Sequence, residues 1–275
     1  YIMASKKTQI ITLVCNKGGV GRSTTAINIA WSLANKKSNV LVCDLDAQAN
    51  TSSSLAKDYQ QDVVEDDRNV TSLLKSSGDS AVDYIVDTRN PNIKLLASTL
   101  MLDSTEGEIK SLLDLNIFKL FNHFFNRKLK SHFDFIIIDT PPQKSSILTL
   151  NALLISNWYW YVLSAEDQWS LDARIVSEKI IQDVRKLNPK IRPLPVLMTK
   201  FVNGSSQSVE MKKIAASEFE AGVFKTTIGY STIISKSHSN RKSINEFSAG
   251  HRVAKNYDSV AMAISRYISK TKTTK

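Results

Sequence analysis

Short runs of consecutive apolar residues alternate along this chain with segments in which apolar residues return every three or four positions, a rhythm of buried strands and amphipathic helices. Ile10 to Val14 is the first run, and Ala26, Ile27, Ile29, Ala30 and Leu33 follow it at helical spacing. Val40-Leu41-Val42-Cys43 and Ile93 to Leu96 repeat the strand signal. Phe135-Ile136-Ile137-Ile138, with three β-branched residues in succession, has the pattern of a parallel strand covered on both faces. Ile117 to Leu129 places Ile117, Leu120, Phe121, Phe124 and Phe125 at helical spacing, as core packing. Ile147 to Ile155 reads as a helix, Trp158 to Leu163 as a strand, and Asp172 to Leu187 as a helix with Val176, Ile180, Val184 and Leu187 on one stripe. Leu194 to Met198 makes a further strand, and Ala254 to Ile268 a last helix with a narrow stripe of Tyr257, Val260, Ile264 and Ile268. Thr51 to Asp67, polar and then acidic, predicts a switch-like loop, and Thr71 to Leu74 a short helix.

Strands alternating with helices predict an α/β fold: a single domain with a mainly parallel twisted sheet and helices on both faces. No internal repeat or low-complexity linker divides the chain. The domain is placed at residues 10–269, between an N-terminal segment, 1–9, and a basic tail, 270–275. Trp158-Tyr159-Trp160-Tyr161 invites comparison with an aromatic platform for single-stranded nucleic acid. Adjacent strand residues point to opposite faces, both covered by helices in such a sheet, so these four rings are expected to pack.

Between the first strand and the first helix lies Cys15-Asn16-Lys17-Gly18-Gly19-Val20-Gly21-Arg22-Ser23-Thr24-Thr25. Glycines there let backbone N–H groups turn around phosphate oxygens, and the helix start behind them adds partial positive charge. The loop is therefore expected to bind the phosphates of a nucleotide, with Ser23 placed as a Mg²⁺ ligand and Thr24 beside it. Asn16 stands where the ordinary phosphate-loop pattern begins with glycine, Arg22 stands where it has lysine, and an additional lysine, Lys17, precedes the glycine pair.

Two further strands end in carboxylates. Asp44 and Asp46 lie at i and i+2 after the second strand, and so leave it on the same side. Alone, this Asp-x-Asp is better described as an ordinary polar loop after a strand; its context reverses that. Asp139 ends the Phe135 to Ile138 strand, just before Thr140-Pro141-Pro142. A carboxylate delivered to the C-terminal edge of a parallel sheet stands where α/β proteins bind ligands, and Asp139 is expected to hold Mg²⁺.

The glycine loop with its extra lysine resembles the KGG-x-GK-[ST]-T signature of the deviant Walker A, or ParA/MinD, family, and Asp44 to Gln48 resembles that family's D-x-D-P-Q segment, with Ala47 for the proline. The resemblance implies an ATPase whose two ATP-bound subunits face each other, Lys17 crossing to the partner's phosphates. It implies that Lys17, Gly18, Gly19, Val20, Gly21, Arg22, Ser23 and Thr24 bind nucleotide, and that Thr199 and Lys200 frame the adenine. Asp46 would position or activate the attacking water, Asp44 would support the metal network, and Ser23 and Asp139 would hold the Mg²⁺. Arg22 is a departure that bears on turnover, since a planar guanidinium does not substitute for a compact ammonium.

With 36 Lys and Arg against 26 Asp and Glu, the formal charge is +10, which favours polyanionic partners. Much of the usable basic surface lies in the C-terminal third, where Lys236, Arg241 and Lys242 are expected in a polar loop with Arg252 nearby. In ParA-like relatives such residues bind duplex DNA non-specifically, so the resemblance implies a partition protein. It would form a homodimer on ATP, bind DNA, respond to a ParB-like stimulating partner, and sit in the cytoplasm on the nucleoid. A MinD-like membrane-associated positioning ATPase is the alternative, although the narrow stripe of the last helix suits docking onto its own domain. A second alternative is a nucleotide switch impaired in hydrolysis by Arg22. Cys15 and Cys43 have no metal-binding spacing and read as buried thiols. No run is apolar and long enough to span a membrane, and no signal-peptide pattern is present.

Overall fold

The computed structural model describes residues 7–15, 17–76, 80–111, 120–142, 146–166 and 169–273. Within them, strands β1 (Gln9–Val14), β2 (Val40–Asp44), β3 (Ile85–Asp87), β4 (Ile93–Leu96), β5 (Phe135–Asp139), β6 (Trp158–Ser164), β7 (Arg192–Pro193) and β8 (Leu197–Thr199) form one sheet. Its order is β3-β4-β2-β5-β1-β6-β7, with β8 also paired to β6. Every described pairing is parallel except β3 with β4.

The helices are α1 (Arg22–Ala34), α2 (Asn50–Leu55), α3 (Val70–Lys75), α4 (Leu102–Ser111), α5 (Leu120–Phe124) and α6 (Arg127–Ser131) in the first half. After β5 come α7 (Ile147–Ile155), α8 (Trp169–Leu187), α9 (Ser206–Glu218), α10 (Thr232–Ser239), α11 (Ile244–Ser248) and α12 (Arg252–Thr273).

The pleat sorts side chains to two covered faces. Ile11, Leu13, Val42, Ile137, Trp158, Trp160 and Val162 pack with α1 and α12. Ile10, Leu41, Cys43, Ile136 and Ile138 pack on the opposite face with Phe121, Phe124, Phe125 and α7, as Tyr159, Tyr161 and Leu163 do with Met211 and Val184. The four adjacent aromatics of β6 are thus split between the two cores and buried, as strand alternation requires. The stripe of α12 is committed in the same way: Tyr257, Val260, Ile264 and Ile268 lie in one core with residues of α1.

Four expectations need correction. Thr51 to Asp67 is not a loop: it holds α2 and a π-helical segment, Tyr59–Glu65, whose start is capped by the Asp58 carboxylate accepting from Gln61 N at 3.0 Å. The predicted strand Leu194 to Met198 is broken. Pro193 and Pro195 lack the N–H a ladder needs, so the edge strand is split into β7 and β8. Leu187, placed on the α8 stripe, is 71% exposed at the helix end. Lys236 lies on α10 rather than in a loop. Of the predicted core helix from Ile117, residues 117–119 lie outside the described residues.

Candidate functional site

The C-terminal ends of β1, β2, β5 and β8 meet at one edge of the sheet, and the glycine loop follows β1 directly. Gly19 (φ 74°) and Gly21 (φ 89°) occupy the left-handed region, where a Cβ would be strained, so glycine is a backbone requirement at both. Gly21 is the N-cap of α1. The loop is held from behind: Thr199 Oγ1 donates to the Val20 carbonyl at 2.7 Å and lies 3.1 Å from that of Leu163, tying β8 and β6 to the loop. Arg22 folds inward, its Nη1 donating to the Cys15 carbonyl, and its buried Nε has no hydrogen-bond partner. The guanidinium thus bridges the start of the loop to the start of α1. Lys17 is half-buried in the same loop.

Asp44 and Asp139 end adjacent strands as register partners, and both are fully buried. Helix α2 reaches both of them. Thr51 Oγ1 donates to Asp139 Oδ2 at 2.8 Å, while Ser52 donates to Asp44 Oδ2 from its backbone N (2.8 Å) and its hydroxyl (2.7 Å). Asp46 N donates to Asp44 Oδ1 at 3.1 Å. Burial, and then the neighbouring charge of Asp139, push Asp44 well above the ordinary carboxylate range. Burial raises Asp139 too, against the opposing influence of Arg22 and of hydrogen bonding from Ser23 and Thr51.

Asp139 Oδ1 is buried with no hydrogen-bond partner. A buried carboxylate oxygen left unmatched, with a serine hydroxyl beside the same carboxylate, is what a hard cation with oxygen ligands would satisfy. Among the described residues no group of three or more His, Cys, Asp or Glu could hold a metal. The pair therefore fits Mg²⁺, which takes one or two protein ligands and completes its shell with phosphate and water.

Gly18 to Thr24 line one wall of a cleft of about 520 Å³, and Asp44 and Asp139 are fully buried next to it. Asp46 opens onto it half-buried, its Oδ1 accepting from Gln48 N at 3.0 Å. The second wall comes from far along the chain: Ile228, Tyr230, Ser231, Ile234, His238 and Tyr257. His238 Nε2 lies 3.1 Å from Thr24 Oγ1, and Tyr257 OH 3.5 Å from Thr25 Oγ1, so this wall leans on the first turn of α1. Tyr257 is legible in the sequence as a core residue of the last helix's stripe, but no spaced motif marks these residues as the wall of a site. Thr199 and Lys200 do line the cleft. The Thr199 hydroxyl is engaged with the loop, and Lys200 Nζ lies 3.2 Å from Glu166 Oε2. Lys236, Arg241, Lys242 and Arg252 are all exposed, on α10, at its exit and at the start of α12.

Residues 8–192 match the family model described as an AAA domain. The sporulation initiation inhibitor protein Soj of Bacillus subtilis (strain 168) is 26% identical over 269 residues, spanning 93% of this chain and 98% of Soj. The chromosome partitioning protein ParA of Myxococcus xanthus (strain DK1622) is 29% identical over 224 residues, 80% of this chain and 75% of ParA. Among solved structures, a putative plasmid partition protein of Borrelia burgdorferi B31 bound to AMPPNP matches with a TM-score of 0.77 at 24% identity, covering 95% of this chain and 100% of that one. Cobyrinic acid a,c-diamide synthase of Mycobacterium smegmatis, with an ATP analog and magnesium, matches with the same TM-score and identity over 95% of this chain and 96% of its own. Two proteins with such different names fit equally well, so the fold by itself does not choose a function.

Proposed function

This chain belongs to the ParA/MinD-type family of partition ATPases, and from that premise we propose that it is a partition ATPase that uses ATP and Mg²⁺ to switch between DNA-bound and released states. The observation that carries the reading is the convergence, in one cleft, of the glycine loop, Ser23 and the half-buried Asp46, with the partly unmatched Asp139 carboxylate buried next to Ser23. The M. smegmatis and B. burgdorferi structures, which hold an ATP analog with magnesium and AMPPNP respectively, support the choice of ligand.

In this reading Lys17, Gly18, Gly19, Val20 and Gly21 wrap the phosphates, and Arg22 and Thr24 complete the cradle. Ser23 and Asp139 hold the Mg²⁺, which when bound neutralises charge on the phosphate oxygens. Asp44, buried and held by Ser52 and Asp46 N, keeps the metal side of the edge rigid. The Asp46 carboxylate stands outside that inner network and lines the cleft, so it orients water for attack on the terminal phosphate. Thr199 acts mainly by fastening the loop, and Lys200 stands at the base end of the cleft. Two copies face each other across the phosphates, Lys17 of each reaching the other's nucleotide. The dimer brings Lys236, Arg241, Lys242 and Arg252 together as a face for duplex DNA, which needs clustered charge but no base-reading motif. A ParB-like partner speeds hydrolysis and releases the protein, which works in the cytoplasm on the nucleoid.

A second reading, a nucleotide switch with slow turnover, is favoured by the bond from Arg22 to the Cys15 carbonyl. A guanidinium held within its own loop has fewer donors to offer a moving phosphoryl group. Nothing comparable favours the membrane-lying alternative, because the α12 stripe is buried against α1.

Sedimentation velocity with ATP, with ADP and without nucleotide tests the dimer. The unaltered chain is expected to dimerise on ATP alone and Lys17→Ala to remain monomeric with ATP bound. A Lys17→Ala protein that dimerised normally on ATP would remove the crossing lysine.

A further inference from the structure

Arg89, just after β3, joins two elements that no motif connects. Its Nη1 donates to the Ala56 carbonyl at 2.7 Å, and its Nη2 donates to that of Ser54, both at the C-terminal end of α2. On the other side, Nε bonds Glu246 Oε1 of α11 at 2.7 Å, and Nη2 lies 2.8 Å from the Arg241 carbonyl and 3.2 Å from Glu246 Oε2. Arg241 has φ 50°, a left-handed backbone that a non-glycine residue seldom adopts. One guanidinium fork therefore fastens the end of α2 to a strained turn at the exit of α10.

The other end of α2 touches the carboxylates. Thr51 and Ser52 bond Asp139 and Asp44, and Ser53 and Ser54 line the cleft. Helix α2 has six residues and is about 9 Å long, too short to bend, so a displacement at its first turn carries to its last. The α10–α11 segment is pinned to α1 by His238 on Thr24 and by Ile244 N donating to Asn28 Oδ1 at 2.8 Å. Among the described hydrogen bonds, its link to α2 runs through Arg89.

We propose that Arg89 is a positioning residue that couples the occupancy of the Asp44–Asp139 edge to the α10–α11 turn carrying Arg241 and Lys242, by clamping the end of α2 to that turn. The inference rests on the reading that the cleft binds Mg–nucleotide. It adds that the basic turn is reoriented within one subunit, so the DNA face is set by nucleotide before any partner copy completes it. The clamp requires a fork: a lysine could keep the ion pair with Glu246 but could not reach carbonyls on both elements at once.

Hydrogen exchange of the amides in residues 232–248, with and without Mg–AMPPNP, reads the coupling directly. Nucleotide affinity, measured in parallel by fluorescence of a labelled analogue, controls for the site itself. In the unaltered chain, Mg–AMPPNP is expected to change exchange in that segment about fivefold or more, the lower end of ordinary coupling between sites. Arg89→Ala and Arg89→Lys are both expected to bind nucleotide with near-normal affinity and to lose that response. Arg89→Lys keeps the charge, so it remains informative should Arg89→Ala fold poorly. A wild-type response in Arg89→Lys, or no nucleotide effect on this segment in the unaltered chain, overturns the proposal. Failure of the unaltered chain to bind nucleotide at all overturns the functional reading and takes this inference with it.

Discussion

The two walls of the cleft are built on opposite principles. One is the glycine loop, backed by strand ends: Asp44 and Asp139, buried next to it, are fixed by the register of β2 and β5 and by short hydrogen bonds from Thr51 and Ser52. The other, from Ile228 to Tyr257, is made of a loop and helices that lean on α1 through side chains. Burial behind the first wall raises the energy of carboxylates and leaves an oxygen of Asp139 unmatched. On the second wall, burial serves packing, with Tyr257 at 1% exposure in the core. Poised charge thus sits on rigid strand ends, while the second wall contributes shape and stability.

Substitutions should separate these roles. Tyr257→Ala on the second wall is expected to cost about 3–5 kcal/mol in urea unfolding, as large aromatic truncations do. Tyr257→Phe should cost less than about 1 kcal/mol, because the contact with Thr25 Oγ1 is long at 3.5 Å. A large cost for Tyr257→Phe would mean that this wall also depends on polar contacts. Asp139→Asn behind the first wall should leave the urea midpoint nearly unchanged and lower Mg-dependent phosphate release about a hundredfold. Near-normal release would detach Asp139 from the metal.

The smallest effect is a pH dependence at the seam between the walls. Burial lowers the His238 pKa from the ordinary 6.5, so the folded protein resists protonation that the unfolded chain accepts. Its contribution is complete above that ordinary value and is lost as pH falls through the lower folded pKa. Between about pH 7.5 and 5.5 the thermal midpoint should therefore fall further in the unaltered chain than in His238→Gln. Equal slopes would place the imidazole outside the seam.

The same contrast explains what was legible in the sequence. Strand runs, the glycine loop and the terminal aspartates are local signals, so β1, β2, β5, β6 and the phosphate edge can all be read from the order of residues alone. The buried split of the β6 aromatics also follows from alternation. Residues 228–238 carry no such signal, because they become a wall only when α10 folds back onto Thr24. Arg89 is equally silent, since its partners lie 33 and 157 residues away. The Thr51 to Asp67 segment misleads because its serines and threonines, poor helix formers by themselves, gain their partners from buried carboxylates. In the edge strand, two prolines outweigh an apolar run.

Binding of random duplex DNA by the purified chain, with ATP, with ADP and without nucleotide, at about 50 and 200 mM salt, tests the partition reading most directly. Tight binding confined to ATP is expected, weakening about a thousandfold across that range as released counterions dictate. Verified ATP binding and dimerisation with no DNA affinity at the lower salt would contradict it.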